Sequence, residues 1–150
     1  MNSIPQHVFG QSIDTAEIEQ QFAKAKAWQQ RIKLLVELAK QLPTLADEQK
    51  NDQSRIFACE SKSWLIMELN QKNQWQILID SEAKLVRGLG CILLAAFNQK
   101  SSQQIIQFDL ANYMQTLGLQ KQLSPSRASG LTAIAKVIIE RAHSEIKAQN

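Results

Sequence analysis

An α+β fold, a small antiparallel sheet of about three strands packed by helices, is what this sequence predicts, and three observations predict it. Helical periodicity occupies both ends of the chain. Two short stretches near the middle, rich in Trp, Ile, Leu and Met, have strand composition instead. A polar connection of hairpin length, Asn70 to Gln74, separates those two stretches. The 150 residues fit a single domain over 1–150, with enough chain to bury a core.

Residues 1–12 read as an irregular N-terminal arm. Asp14 opens a helix, with Glu17 as its capping-box partner and Ile18 and Phe22 on one face. A second helix runs from about Lys26 to Leu42. Its Trp28, Ile32, Leu35, Leu38 and Leu42 recur at spacings of three and four, and Pro43 stops it. Thr44 to Ser54 is polar and reads as a surface loop. A short strand at Arg55 to Ala58 precedes the strands Trp64 to Leu69 and Trp75 to Ile79, the last with Trp75, Ile77 and Ile79 on one side. Ser81 then caps a buried central helix through Leu85, Leu89, Leu93 and Phe97.

Gly88 and Gly90 lie inside that helix, where each costs ~1 kcal/mol relative to Ala, so close packing against a neighbour is the expected compensation. They are no dinucleotide fingerprint, because the third glycine and the helix-start position are missing. Ser101 or Ser102 caps a short helix, and Asp109 caps another that ends at Gly118. Ser124 followed by Pro125 starts the last helix, which runs to about Lys147 with Leu131, Ile134, Ile138 and Ala142 inward.

Charge narrows the function classes. The 17 basic and 14 acidic side chains leave a net charge of +3 with no five-residue run of one sign, so a nucleic-acid partner is not expected. The opening MNSIPQHVFGQS lacks a secretory pattern, and the longest apolar run, Leu89 to Phe97, falls far short of the ~20 residues of a membrane span. A cytoplasmic protein without a membrane partner is expected, with Cys59 and Cys91 as free thiols. Two cysteines and two widely separated histidines, His7 and His143, show no metal-ligand spacing, so no metal site is expected.

Cys59 is the most informative residue. It stands in RIFACESKSW, where a polar loop meets an aromatic-rich strand. Arg55 and Lys62 would favour its thiolate and Glu60 would oppose it. Two readings are open: a reactive thiol, or a small apolar filler at a strand edge. Cys91, inside LGCILLAAF, reads as structural. Cysteine hydrolysis or acyl transfer wants a His base, and no signature for such a pair is present. Sulfur exchange asks only for a thiolate, access and a good leaving group, and so fits the inventory better. In SPSRASG, Arg127 sits in a first helical turn, where a cation opposes the helix dipole. That placement asks for a partner, either an internal carboxylate or a functional anion.

Five stretches, WQQRIKLLVELAKQLP, ACESKSWL, DSEAKLVRGL, FDLANYMQTLGL and LSPSRASGL, together resemble the SufE/CsdE sulfur acceptors in order and spacing, from about Phe9 to Ile146. The HVFG near the start looks more like the CsdE branch. The resemblance implies a fold similar to the iron–sulfur scaffold protein IscU. It implies that Cys59 accepts persulfide sulfur from a SufS/CsdA-like cysteine desulfurase and that the protein stimulates this partner, feeding cluster assembly or another sulfur-transfer route. The chain would then be an accessory protein rather than an enzyme, a monomer or weak dimer with no cofactor of its own, the pyridoxal phosphate belonging to the desulfurase. The cysteine loop would rest tucked toward an apolar pocket and move outward to the donor. Arg127 would lie near the site, as a contact for the thiolate, the persulfide or the partner. Asp80 and Glu82 match an acidic segment tied to desulfurase activation, and Glu60 and Lys62 beside the cysteine complete the partner-facing set. Two departures stand out: Ala58 replaces the usual Gly before the cysteine, and Cys91 is outside the family's site pattern. The competing readings are a non-catalytic binding module that regulates a desulfurase, and a cysteine-dependent enzyme.

Overall fold

A computed structural model of the chain describes residues 4–149; residues 1–3 of the expected N-terminal arm lie outside the described residues. Helices α1 (Thr15–Lys24) and α2 (Trp28–Lys40) precede a hairpin of β1 (Ser63–Leu69) and β2 (Trp75–Ser81). Helices α3 (Lys84–Phe97), α4 (Ser102–Gln107), α5 (Leu110–Leu117) and α6 (Pro125–Gln149) follow it. The fold is α+β.

Local chemistry accounts for most helix ends. Asp14 Oδ1 accepts from the Glu17 N–H at 2.9 Å, while the Glu17 carboxylate takes the Gln21 amide. Ser101 and Gln104 close a full capping box at the start of α4. Asp109 accepts from the Asn112 N–H at 3.0 Å, and Gly118, at φ 71°, ends α5 in the left-handed conformation that glycine adopts without strain. Ser124 Oγ stands 3.4 Å from the Arg127 N–H at the start of α6. Ser81 departs from expectation. It is the last residue of β2, its Oγ accepts from the Ala83 N–H at 3.2 Å, and α3 opens at Lys84 without a side-chain cap.

The sheet has two strands rather than three, pairing antiparallel from Ser63 opposite Ser81 to Leu69 opposite Trp75. The stretch expected as a third strand makes only an isolated bridge, Arg55 to Trp64. Leu65 N donates to Ser54 O at 2.8 Å and Ile56 N to Ser63 O at 2.9 Å; the chain then turns away at Phe57. Three residues of pairing cover the outer edge of β1 without extending the sheet. Side chains close the edge of β2. His7 Nδ1 accepts from the Phe9 N–H, so Nε2 carries the proton and donates to Ile77 O at 2.8 Å. Asn98 Oδ1 accepts from the Ile77 N–H at 2.8 Å. Burial lowers the His7 pKa and so favours the neutral ring this arrangement needs.

All seven residues of β2 are buried, so the alternation of Trp75, Ile77 and Ile79 does not separate core from solvent. Helix α3, buried from Gly88 to Phe97, packs against β2, α1, α2 and α6. Gly88 and Gly90 permit that packing. A Cβ on Gly88 would lie 2.4 Å from the Leu35 carbonyl oxygen, and one on Gly90 3.0 Å from Ile79 Cγ2. The segment expected as a surface loop before Arg55 is tied inward, with Leu45 and Ser54 both buried.

Candidate functional site

The loop 57–62 is held at both ends. The Ile56–Ser63 hydrogen bond closes its base, and Lys62 O accepts from Glu82 N at 3.0 Å and from Ser81 Oγ at 3.1 Å. Between those ties the chain makes one further turn, with Cys59 N donating to Ile56 O at 3.3 Å. Ala58 carries no strain here: Asn73 and Gln99 are the non-glycine residues with positive φ among those described. The Cys59 side chain points inward, 8% exposed, with Sγ 3.8 Å from Gly130 O on α6.

Cys59 faces a cleft of about 230 Å³ between its own loop, the first turns of α3 and the first turns of α6. Leu85, Val86, Leu89, Leu131 and Ile134 form its apolar wall. Glu60, Ser61, Ser124, Ser126 and Arg127 supply the polar part. Burial pushes the Cys59 thiol above its ordinary 9.0, and hydrogen bonding with Ser63 offsets part of that. The cations expected to favour the thiolate do not dominate. The Arg55 guanidinium lies over the Phe57 ring, 5.1 Å from its centroid, and Lys62 is exposed to water. Cys91 is fully buried, and its thiol is pushed up to about 12, chiefly by burial. Both cysteines are free. Among the described residues no group of three His, Cys, Asp or Glu is placed to hold a metal ion, and no helix is long and apolar enough to cross a membrane.

The SufE family model, an Fe-S metabolism associated domain, matches residues 16–142. The chain belongs to the SufE family. Membership ties it to iron–sulfur metabolism. A solution structure of a hypothetical protein from Thermus thermophilus shares the fold of this SufE-family chain. Its TM-score is 0.70 over 89% of this chain and 96% of that one, at 15% identity.

Of the SufE-like residues singled out in the sequence, Cys59, Glu60 and Arg127 meet around the one cleft. Lys62 and Glu82 are exposed beside it, joined through their backbones. Arg127 is exposed and makes no ion pair among the described residues, so the internal-carboxylate alternative falls. Asp80 is a correction. Expected on a partner-facing surface, it is 2% exposed, lies 3.2 Å from Arg87 Nε and 3.7 Å from Lys50 Nζ, and accepts from Leu45 N at 3.0 Å. Its carboxylate joins the loop after α2 to the first turn of α3, whose Leu85 and Val86 wall the cleft.

Two residues of the site escaped the sequence reading. Phe57 is 67% exposed, two positions from Cys59. Adjacent Ile56 and Phe57 held a signal, because neighbours in an extended segment point to opposite sides and only one of them enters the core. Gly130, which receives the cysteine, was signalled only as a glycine inside a helical pattern.

Proposed function

We propose that this protein is a cytoplasmic sulfur acceptor, with Cys59 taking persulfide sulfur from a cysteine desulfurase and the protein stimulating that partner. The observation that carries the reading is a thiol at a cleft with an apolar wall, on a loop tied at both ends, in a SufE-family chain. The Cys59 thiolate attacks the outer sulfur of the partner's persulfide. The partner's S–S bond breaks as a new one forms on Cys59, the partner cysteine leaves as a thiolate, and the Cys59 proton ends in the medium or on that thiolate. No net oxidation occurs, and no cofactor of this chain is needed. A raised thiol pKa and 8% exposure keep Cys59 unreactive at rest, so acceptance requires the loop to swing outward. The acquired sulfur then passes to cluster assembly or another sulfur-transfer route; the HVFG segment favours the CsdE branch.

The test is intact-mass spectrometry after incubation with a cysteine desulfurase and cysteine, where a gain of ~32 Da, lost on reduction, is expected. No gain with an active SufS/CsdA-like desulfurase would sink the proposal.

The partner-facing set is Phe57, Glu60, Lys62, Glu82 and Arg127, all exposed. Docking that buries the Phe57 ring contributes about 1.5–3 kcal/mol, so Phe57→Ala is expected to weaken desulfurase binding roughly ten- to hundredfold. Its melting temperature should hold, because the ring is 67% exposed in the free protein. Calorimetric titration checks this, and an unchanged Kd removes Phe57 from the interface. Arg127→Ala is expected to slow sulfur acceptance about tenfold at saturating desulfurase, the scale of one charge-assisted hydrogen bond, with folding retained. Equal single-turnover transfer rates would exclude a role for Arg127.

A further inference from the structure

Gly130 is buried in the second turn of α6, and the helix itself gives no reason for a glycine there. Its φ is not positive: the positive-φ glycines are Gly10 and Gly118. A glycine in a helix interior costs ~1 kcal/mol relative to Ala. The three atoms nearest to a Cβ placed on Gly130 all belong to Cys59, with Sγ at 3.2 Å and Cα and Cβ both at 3.9 Å. The sulfur alone would be crowded. The Gly130 carbonyl oxygen is also the hydrogen-bond neighbour of Sγ, at 3.8 Å. What the position accommodates is therefore the tucked thiol.

We propose that Gly130 is a positioning residue that sets the resting state of Cys59. The absent side chain leaves a seat on α6 into which the sulfur fits, and the fit holds the loop closed until a partner draws it out. The purpose of the seat rests on the sulfur-acceptor reading; its existence does not. The contrast with Gly88 is instructive. There a Cβ would strike the backbone of a packed helix, whereas the neighbour of Gly130 is the tip of a loop whose Phe57 and Glu60 already face water. A methyl group on Gly130 would ask the sulfur to give by a few tenths of an ångström, and in this proposal the loop, not the helix, yields.

The test is Gly130→Ala, read first by iodoacetamide alkylation without any desulfurase, with Cys91 as the internal reference. Cys59 is expected to react roughly fivefold faster or more as the open population grows, with Cys91 unchanged. The midpoint of the pH–rate profile should move down toward the ordinary 9.0 as the sulfur gains water. The second reading is thermal. In a Cys59→Ala background, Gly130→Ala should raise Tm, because the sulfur is gone and helix propensity alone remains. In the wild-type background that gain should shrink or reverse. Equal alkylation rates and midpoints in folded Gly130→Ala, or the same Tm change in both backgrounds, would overturn the proposal. If Gly130→Ala alone does not fold, the double variant with Cys59→Ala decides, and its failure to fold counts against the seat. Failure of the acceptor reading has a different signature, no sulfur gained by the wild-type protein, and leaves these rates untouched.

Discussion

Cys59→Ser is expected to abolish sulfur loading completely while leaving the fold and desulfurase binding intact. A serine hydroxyl is not ionised near neutral pH and is a poor nucleophile toward sulfur, so no persulfide forms. The replacement is nearly isosteric and leaves the backbone ties of the loop in place. Cys91 cannot substitute. It is fully buried in α3 with its thiol pushed up to about 12, which leaves almost no thiolate at neutral pH. Intact mass should therefore show ~32 Da gained by the wild type and nothing by the variant, with desulfurase stimulation lost in parallel. A variant that still gains sulfur would move the acceptor site away from Cys59. A variant that gains none but still stimulates would assign stimulation to docking alone.

Asp80→Ala is expected to be the most destabilising of these substitutions. The carboxylate is 2% exposed and engages Arg87 at 3.2 Å and Lys50 at 3.7 Å, whose side chains are 17% and 29% exposed. It also accepts from the Leu45 and Ser81 N–H groups, at 3.0 and 2.8 Å. Removing it leaves two partly buried cations and two buried N–H groups without this acceptor, a loss of roughly 3–5 kcal/mol. For a chain of this size that is about 6–20 °C in melting temperature. Glu82→Ala, at the exposed neighbouring position, should change Tm by no more than about 1–2 °C. Calorimetry on both variants checks the contrast, and equal small shifts would return Asp80 to the surface role suggested by the sequence. Any loss of desulfurase stimulation in Asp80→Ala then follows from displacement of α3's first turn, which walls the cleft, rather than from a lost contact.

These two residues mark how far sequence reading reaches and where it stops. Cys59 was legible as a candidate at the cleft because thiol chemistry depends on residue type and the surrounding ACESKSW resembles a family pattern. Asp80 was legible as an important acid but not as an internal one. Its partners Lys50 and Leu45 lie 30 or more residues away, and nothing in DSE reveals which carboxylate turns inward. Whether Cys59 rests exposed or tucked stayed open in the sequence for the same reason. Arg55 and Lys62 are neighbours in sequence, yet one stacks on Phe57 and the other faces water, and burial outweighs both.

By itself the sequence determined what local chemistry governs. The caps at Asp14, Ser101, Asp109 and Ser124, the stop at Gly118 and the apolar stripes of α2 and α6 follow from groups within one or two turns of each other. Tertiary structure alone decided the rest. The sheet stops at two strands because His7 and Asn98 close one edge and residues 54–56 the other. Ser81 belongs to a strand because it pairs with Ser63, 18 residues earlier in the chain. Cys59 rests buried because a glycine 71 residues further along the chain leaves room for its sulfur. Each of these outcomes turns on burial and on partners far apart in the chain, quantities set only once the elements have packed.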